Sequence, residues 1–339
     1  MRIDEKIGSA TWHAGALPVS VPAVLAPLSG VTDAVFRRIA RRFGAGLVVS
    51  EMVASDELVR GSPEARMRAE GSGIEPHVIQ LAGCDPRWMS EATRVAESAG
   101  AQIIDINMGC PAKRVIGGYA GSALMRDLDH AARLIEATVA AATVPVTVKM
   151  RLGWDEASIN APELARRAEA LGVQALTVHG RTRQQFYKGR ADWSAIRAVV
   201  DAVDLPVVAN GDIDSEAQAL ACLHASRATA VMIGRAALGR PWIVGRVGSA
   251  LAGRPARDPA PEAKTAAILE HYEGLLSLYG REMGVRHARK HLAAYADEAL
   301  GQGFSISPGE RRELVTSDDP AAVARILGRL YGEPVREAA

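Results

Sequence analysis

The sequence contains few cysteines, and their positions exclude the common cysteine-based architectures. Among 339 residues only Cys84, Cys110 and Cys222 occur, and their spacing matches neither a disulfide framework nor a zinc site. We therefore expect a reducing, cytoplasmic environment and no metal. No uncharged apolar run reaches the roughly 18 residues that a membrane span needs, and the N-terminus lacks a basic segment followed by an apolar core. No membrane association or targeting segment is expected.

An excess of charge of one sign is also missing. The 40 Lys and Arg residues nearly balance the 39 Asp and Glu residues, for a net charge of +1. This balance excludes a strong global field that attracts nucleic acid, but it permits a local basic patch. With 48% hydrophobic and 23% charged residues the composition is that of an ordinary globular protein. The length suits one large domain and a smaller one.

Short apolar runs alternate with segments of helical periodicity, such as residues 33–43 and 161–172. The runs are VPAVLAP (21–27), GLVVSEM (46–52), PHVIQLAG (76–83), AQIIDINMGCP (101–111), VPVTVKMRLG (144–153), QALTVHGR (174–181), LPVVANGD (205–212) and TAVMIGR (229–235). Eight such strands, each followed by a helix, predict an α/β fold of the (β/α)8 TIM-barrel type, because parallel strands are buried on both faces. No G-x-G-x-x-G motif follows an early strand, which disfavours an open doubly wound sheet.

A Pro- and Gly-rich segment, LAGRPARDPAPEA (251–263), is typical of a linker. Beyond it, residues 265–280, 283–301 and 321–332 have helical periodicity. We therefore predict a barrel domain over residues 1–250 and a smaller all-α domain over residues 259–339.

The ends of the predicted strands are polar or glycine, although the strands themselves are apolar. In a TIM barrel these ends face the active site. The positions are Ala26–Pro27, Glu51, Gln80, Asn107, Lys149, His179, Asn210–Gly211 and Gly234–Arg235. The glycine turns after the last two strands favour a phosphate-bearing cofactor or substrate over plain tight turns.

Three of these side chains suggest ligand contacts. Lys149 lies between Val148 and Met150, and a buried ammonium needs an anion. A reduced flavin would serve, as would an ion pair with Glu51 or Asp105. Gln80 could bond both edges of an imide and His179 a carbonyl or phosphate, although each could also be a satisfied core polar group.

Cys110 lies between Gly109 and Pro111 in a loop that must cross the barrel mouth. A thiol there can act as a nucleophile, a metal ligand or a proton donor. Metal ligation is disfavoured because no second cysteine lies nearby. We interpret Cys84 and Cys222 as small packing residues.

Several motifs occur together and in order along the chain. They are APLSGVTDAVFR (26–37), SEM (50–52), VIQLAG (78–83), DINMGCPAKRV (105–115), GSALMRD (121–127), VTVKMRLGW (146–154), VHGRTR (178–183), ANGDI (209–213) and IGRAALGRPW (233–242). In these motifs the sequence resembles the tRNA-dihydrouridine synthases, the bacterial B subgroup in particular. The resemblance continues through RKH (289–291) in the helical region.

The resemblance implies an FMN-dependent barrel that reduces a D-loop uridine in tRNA to 5,6-dihydrouridine, with NADPH as electron donor. Reduced flavin would give a hydride to the uracil ring, Cys110 would give the proton, and Asn107 would contact the uracil. The implied FMN contacts are Pro27, Leu28, Ser29, Gln80, Lys149, His179, Asn210, Gly211, Asp212, Gly234 and Arg235. The pair Leu28–Ser29 departs from the Met-Ala that is common in the family.

Basic residues suggest where tRNA would bind. Arg286, Arg289 and Lys290 share one helical face by their i, i+3, i+4 spacing, although a solvated surface is the alternative. Lys113, Arg114, Arg181 and Arg183 would add positive charge at the barrel mouth. No obligate protein partner is indicated.

Two other functions compete with this interpretation. A flavin barrel that acts on a free metabolite, like the dihydroorotate dehydrogenases, is disfavoured by the helical region and by the basic pair at residues 113–114. A non-catalytic RNA-binding regulator is disfavoured because Cys110, Lys149 and Arg235 are all present.

Overall fold

A computed structural model describes residues 11–332, except for the side chain of Arg114. An antiparallel hairpin of β1 (Trp12–Ala14) and β2 (Leu17–Val19) precedes the main sheet. That sheet comprises β3 (Ala23–Leu25), β4 (Leu47–Val48), β5 (Val53–Ala54), β6 (Val78–Ala82), β7 (Ile103–Met108), β8 (Val146–Arg151), β9 (Ala175–His179), β10 (Val207–Asn210) and β11 (Ala230–Ile233). All its strands pair in parallel.

The sheet closes on itself through one segment of chain. The strand order is β4-β3-β11-β10-β9-β8-β7-β6-β5, so β4 and β5 lie at its two ends, yet both belong to residues 47–54. Between them, Val49 pairs with Val78 at the start of β6. The two short strands therefore act as one barrel strand, and the predicted eight-stranded barrel is confirmed.

Helices follow each barrel strand. They are α1 (Ala34–Arg42), α2 (Ser55–Val59), α3 (Pro63–Ala69), α4 (Pro86–Ser98), α5 (Lys113–Gly117), α6 (Leu128–Ala141), α7 (Ala161–Ala170), α8 (Trp193–Val200), α9 (Glu216–Ser226) and α10 (Ile243–Leu251), with 3-10 turns at Gly121–Arg126 and Arg235–Ala237. Their buried faces pack on the strands to form the main apolar core. Several begin at an acidic cap; the Asp33 carboxylate, for example, accepts the backbone N–H groups of Val35 and Phe36 at 3.0 Å.

The C-terminal region is helical, as the periodicity predicted. It comprises α11 (Pro261–Gly301), α12 (Pro308–Thr316) and α13 (Pro320–Leu327). Helix α11 is interrupted at Gly280, where φ is 74° and ψ is 164°. Its two halves fold back against each other, since Tyr279 stacks on His287 with ring centroids 4.2 Å apart. We call these two halves the C-terminal hairpin. The two predicted domain boundaries stay a prediction, and residues 1–10 and 333–339 lie outside the described chain.

The C-terminal hairpin and the barrel share a buried polar joint. His271 Nε2 lies 3.0 Å from the carboxylate of Asp33, and His271 Nδ1 lies 2.8 Å from the hydroxyl of Tyr295. His291 packs edge-on against His271. Asp33, His271 and His291 are close enough together to suggest a metal site. Both ring nitrogens of His271, however, already lie within hydrogen-bond distance of Asp33 and Tyr295.

The hairpin core also receives one barrel residue. Trp242, directly before α10, is 2% exposed and packs with Tyr272, Tyr295 and Tyr331 of the C-terminal region. Within residues 11–332, none of the helices is both long and apolar enough to cross a bilayer.

Candidate active site

A cavity of about 870 Å³ opens at the carboxyl ends of the barrel strands. Its walls come from the loops that follow these strands, which is where a TIM barrel places its active site. The predicted residues that line it are Pro27, Leu28, Ser29, Gln80, Asn107, Cys110, Lys149, His179, Asn210, Gly211, Asp212, Gly234 and Arg235. The structure therefore brings together every predicted flavin contact, the predicted proton donor and the predicted uracil contact.

The loop that carries Cys110 is held by polar contacts on both sides. The side-chain oxygen of Asn107 accepts the backbone N–H groups of Gly109 at 3.2 Å and Cys110 at 2.9 Å. On the other side, Ser122 donates its backbone N–H at 3.0 Å and its hydroxyl at 2.9 Å to the Cys110 carbonyl. The position of the thiol is thus fixed by the protein itself.

Gln80 and Asn107 belong to a buried hydrogen-bond network beneath the cavity. The Asn107 amide donates to Gln80 Oε1 at 2.7 Å, and Gln80 Nε2 donates to Asp105 at 2.7 Å. Asp105 also accepts the Thr147 hydroxyl at 2.6 Å. Burial raises the pKa of Asp105 to about 6, although the bonds from Thr147 and Gln80 oppose that rise. Each side-chain amide keeps one further N–H that it can offer to a ligand.

The ammonium group of Lys149 makes few polar contacts with the cavity wall. Its ammonium donates to Asn210 Oδ1 at 3.3 Å. Among the described residues no carboxylate lies within ion-pair distance of this ammonium, and the negative charge of Asp105 acts on it from farther away. Burial, together with the nearby positive charge of Arg151, lowers the pKa of Lys149 to about 8. An anionic or acceptor-rich ligand would therefore be stabilised here.

His179 is neutral in this environment. It is 8% exposed, and its pKa lies well below the ordinary value because of burial and the positive charges of Lys149, Arg151 and Arg181. A neutral imidazole can accept a hydrogen bond at one nitrogen and donate one at the other. His179 Nε2 lies 3.3 Å from the guanidinium of Arg181.

Arg181 is buried rather than available to RNA. It is 1% exposed, and its guanidinium contacts both carboxylate oxygens of Asp212, at 2.9 and 2.6 Å. It also donates to the carbonyls of Lys188 and Gly189. The expected tRNA contact at Arg181 is thus replaced by an internal one, because a side chain this buried has no surface to offer.

Asp212 organises the turn that follows β10. Burial opposes its ionisation, but the bond from Arg181 keeps its pKa below the ordinary value. It also pairs with Arg235 at 3.1 Å, and the Arg235 side chain remains 59% exposed. A carboxylate repels a phosphate. We therefore expect Asp212 to orient Arg181 and Arg235 rather than to contact an anion directly.

The predicted tRNA residues of the C-terminal hairpin lie at the surface. Arg286 pairs with Glu282 and Arg289 with Asp318, each at 3.0 Å. Lys290 is exposed, and its ammonium lies against Gly30 in the loop after β3. At the mouth, Lys113 is exposed at the start of α5, while the side chain of Arg114 lies outside the described structure.

Arg151, Phe186 and Tyr187 are among the cavity residues that the sequence did not predict. Arg151, 1% exposed, donates to the carbonyls of Gly109 and Phe186, both at 2.9 Å, and so joins the loops after β7 and β9. Phe186 and Tyr187 line the outer wall, with ring centroids 4.6 Å apart. The two-residue spacing from Lys149 is a signal that could have revealed Arg151, because alternate strand residues face the same side.

Sequence comparisons relate most of the chain to one enzyme family. The model of the family described as "Dihydrouridine synthase (Dus)" matches residues 24–308. A protein of Rhizobium leguminosarum bv. phaseoli named "Probable tRNA-dihydrouridine synthase" is 55% identical over 308 residues, which cover 91% of this chain and 93% of that protein. A protein of Xanthomonas axonopodis pv. citri named "tRNA-dihydrouridine synthase B" is 48% identical and covers 84% of this chain and 86% of its own length.

Solved structures share the fold. Morphinone reductase matches with a TM-score of 0.54 at 14% identity, over 78% of this chain and 94% of that protein. Histamine dehydrogenase from Rhizobium sp. 4-9 matches with a TM-score of 0.56 at 14% identity, over 80% of this chain and 51% of that one. At this identity the likeness concerns the barrel architecture alone.

Proposed function

The chain belongs to the dihydrouridine synthase family, and on that premise we propose that it reduces a D-loop uridine of tRNA to 5,6-dihydrouridine. In this proposal FMN is the resident cofactor and NADPH the reductant. The observation that supports it best is one cavity whose wall carries both a fixed cysteine, Cys110, and an unpaired ammonium, Lys149. The first can give a proton, and the second can neutralise an electron-rich ring.

The cavity residues fit a flavin mononucleotide. Lys149 has one long hydrogen bond and two donors to spare, and Gln80 and His179 present further polar edges. Gly234 and Arg235 form a turn at the start of a 3-10 helix, where backbone N–H groups and a guanidinium can meet a phosphate. When bound, FMN supplies the hydride that the reduction requires.

Cys110 is proposed to supply the proton. Saturating the uracil C5=C6 bond adds a hydride to one carbon and a proton to the other, so the second carbon needs an acid at close range. The thiol is half-buried in the cavity wall. Asn107 holds the loop from below and keeps an N–H for the edge of the base.

The tRNA must deliver an unstacked base to this cavity, which costs a few kcal/mol. Backbone contacts elsewhere offset that cost. We propose Arg286, Arg289 and Lys290 for this role, with Lys113 at the mouth. The ion pairs of Arg286 and Arg289 are solvent-exposed and hence weak, so phosphates can replace their carboxylate partners.

NADPH is proposed to use the same mouth in turn with the uridine. A neighbouring cavity lined by Trp193 and Ala221 has a volume of only about 450 Å³, and the sequence contains no separate dinucleotide fingerprint. A structure of morphinone reductase, a protein of the same fold, is in complex with tetrahydroNAD. That complex supports a nicotinamide donor in a barrel of this type.

Replacing the proposed acid tests the function. We expect Cys110→Ala to bind FMN as well as the wild type but to lose most turnover on unmodified tRNA. Cys84→Ala, which removes an exposed thiol outside the cavity, serves as the control. A wild-type single-turnover rate for Cys110→Ala with prereduced flavin would contradict the acid role.

The substrate class is tested separately. Turnover on tRNA and none on free uridine or orotate is expected, together with loss of dihydrouridine from tRNA of cells that lack the protein. Turnover on the free bases alone would instead favour the metabolite-reducing alternative, and a protein that cannot be reconstituted with FMN would favour the non-catalytic regulator.

A further inference from the structure

Two arginines converge on one tryptophan at the rim of the barrel mouth. The guanidinium carbons of Arg126 and Arg183 lie 4.9 and 5.0 Å from the ring centre of Trp154. We call these three residues the Trp154 cluster. Trp154 follows β8, Arg126 ends the 3-10 turn after β7, and Arg183 follows β9, so three neighbouring loops build it. Arg126 is exposed, and the other two residues are half-buried.

The positive charges of the Trp154 cluster are not neutralised by the protein. Within residues 11–332, neither arginine has a carboxylate within ion-pair distance, and the buried Nε of Arg183 has no hydrogen-bond partner. The acidic neighbours in sequence are engaged elsewhere. Asp127 caps α6 by accepting the His130 N–H, and Asp155 accepts the Ser158 hydroxyl at 2.7 Å.

This arrangement favours an anion. Each guanidinium is attracted to the indole ring, but the two cations repel each other. A phosphate bound at each guanidinium would neutralise both charges, and planar guanidinium groups match phosphate oxygens by paired hydrogen bonds. By contrast, Arg167 on α7 has its charge satisfied by Glu163 and Asp129.

The position of the Trp154 cluster indicates where on the barrel rim a bound phosphate would lie. Counting along the closed strand order, β8 is four strands from β3 in either direction. The C-terminal hairpin meets the loop after β3, where Lys290 lies against Gly30. The Trp154 cluster therefore lies across the mouth from the hairpin, with Cys110 in the loop after β7, the strand next to β8.

We propose that the Trp154 cluster binds two backbone phosphates of the substrate tRNA, one at each arginine, on the rim opposite the C-terminal hairpin. The inference depends on the proposed function, because it names a second contact for the same RNA. One RNA held on both rims would straddle the cavity, and the base between the two contacts would face Cys110. The indole keeps both guanidinium planes in place while phosphate oxygens take their outer N–H groups.

Salt dependence of tRNA binding tests this proposal. The double variant Arg126→Gln/Arg183→Gln should bind unmodified tRNA more weakly, and its slope of log affinity against log salt should be smaller by about 1.4 to 1.8, as for two lost phosphate contacts. Arg94→Gln is the matched control, because Arg94 is an exposed arginine of α4, away from the mouth. Its slope should equal that of the wild type.

The alternatives are distinguishable. An unchanged slope in a double variant that melts and binds FMN like the wild type would overturn the inference and leave the proposed function intact. Failure of the wild type itself to bind or reduce tRNA would overturn both. If the double variant does not fold, Arg126→Gln alone must still lower the slope by about one contact, or the inference fails. Replacing both arginines by lysine should keep most of the slope.

Discussion

The amide of Asn107 determines where the Cys110 sulfur lies. Its oxygen holds two consecutive backbone N–H groups of the loop, and its nitrogen is fixed by Gln80. A displaced reacting group can cost about 100-fold in rate when the shift is near 1 Å. The residue is therefore a positioning residue as well as the proposed uracil contact.

We expect Asn107→Ala to lower turnover on tRNA by roughly 10- to 100-fold while FMN stays bound. Gln102→Ala is the control, because Gln102 likewise accepts a backbone N–H, from His77 at 2.9 Å, but at the opposite end of β7. Rapid-mix single-turnover rates on unmodified tRNA would measure the effect. Wild-type rates in Asn107→Ala would show that the loop holds its position without this amide.

At the residue scale, the sequence predicts which residues line the cavity wall but not which contacts each side chain makes. Strand ends can be recognised from polar residues that follow apolar runs, and Lys149, Gln80 and Asn107 all lie where that rule put them. Arg181 was interpreted as a surface charge because a sequence does not reveal that Asp212, from the next barrel strand, turns back to meet it. Long-range pairs of this kind need the fold first.

At the element scale, the turn at Gly280 depends on a backbone conformation that other residues rarely adopt. A Cβ there would meet nothing within 4 Å, so the constraint is purely conformational. We expect Gly280→Ala to lower the free energy of unfolding by about 1–3 kcal/mol. Gly301→Ala, at the helical end of α11 with equally open space, should be neutral or stabilising. Urea denaturation of both variants measures the difference, and equal midpoints would contradict the role of the turn.

The joint between α1 and the C-terminal hairpin makes folding sensitive to acid. Burial, reinforced by the charge of His271, lowers the pKa of His291 to about 3 despite the opposing charge of Asp33. The pKa of a histidine in the unfolded chain is near 6.5. At pH values between this and the native pKa, His291 is therefore protonated in the unfolded chain but not in the native one. The free energy of unfolding should therefore fall as pH falls through this window.

Replacing His291 by leucine should make that pH dependence flatter by up to about 1.4 kcal/mol per pH unit below pH 6. The control is His224→Leu, at an exposed position on α9. Urea denaturation at several pH values from 4 to 7 would measure the slopes. Parallel curves for the wild type and His291→Leu would show that another group is responsible.

Helix periodicity predicted α11 and α13 but not α12. Residues 308–316 carry few apolar residues, and Leu314 is the buried one, so the periodic signal is weak. The start of the helix was nevertheless visible in Ser307 and Glu310, whose side chains each bond the other's backbone N–H. Capping residues carry information that hydrophobic spacing lacks.

At the scale of the whole molecule, the alternation of apolar runs and helices was enough to predict the barrel. What it did not reveal is how the barrel closes, since residues 47–54 form two short strands that pair with different neighbours. Nor did composition reveal the Trp154 cluster, because its members are brought together by three separate loops. The alternation of apolar and helical segments predicts the strands and helices of the barrel, whereas the loops form the surface that RNA would contact.

The packing of Trp242 limits where two related chains can be joined in a chimera. The indole is attached to the barrel, and beside Phe43 of the barrel it packs with aromatic residues of the C-terminal region such as Tyr331. A chimera that exchanged only the residues after the linker with those of a relative would set this indole against aromatic residues with which it was not packed before. Recombination between such enzymes should therefore succeed when the crossover point lies before position 242 and fail when it lies after it.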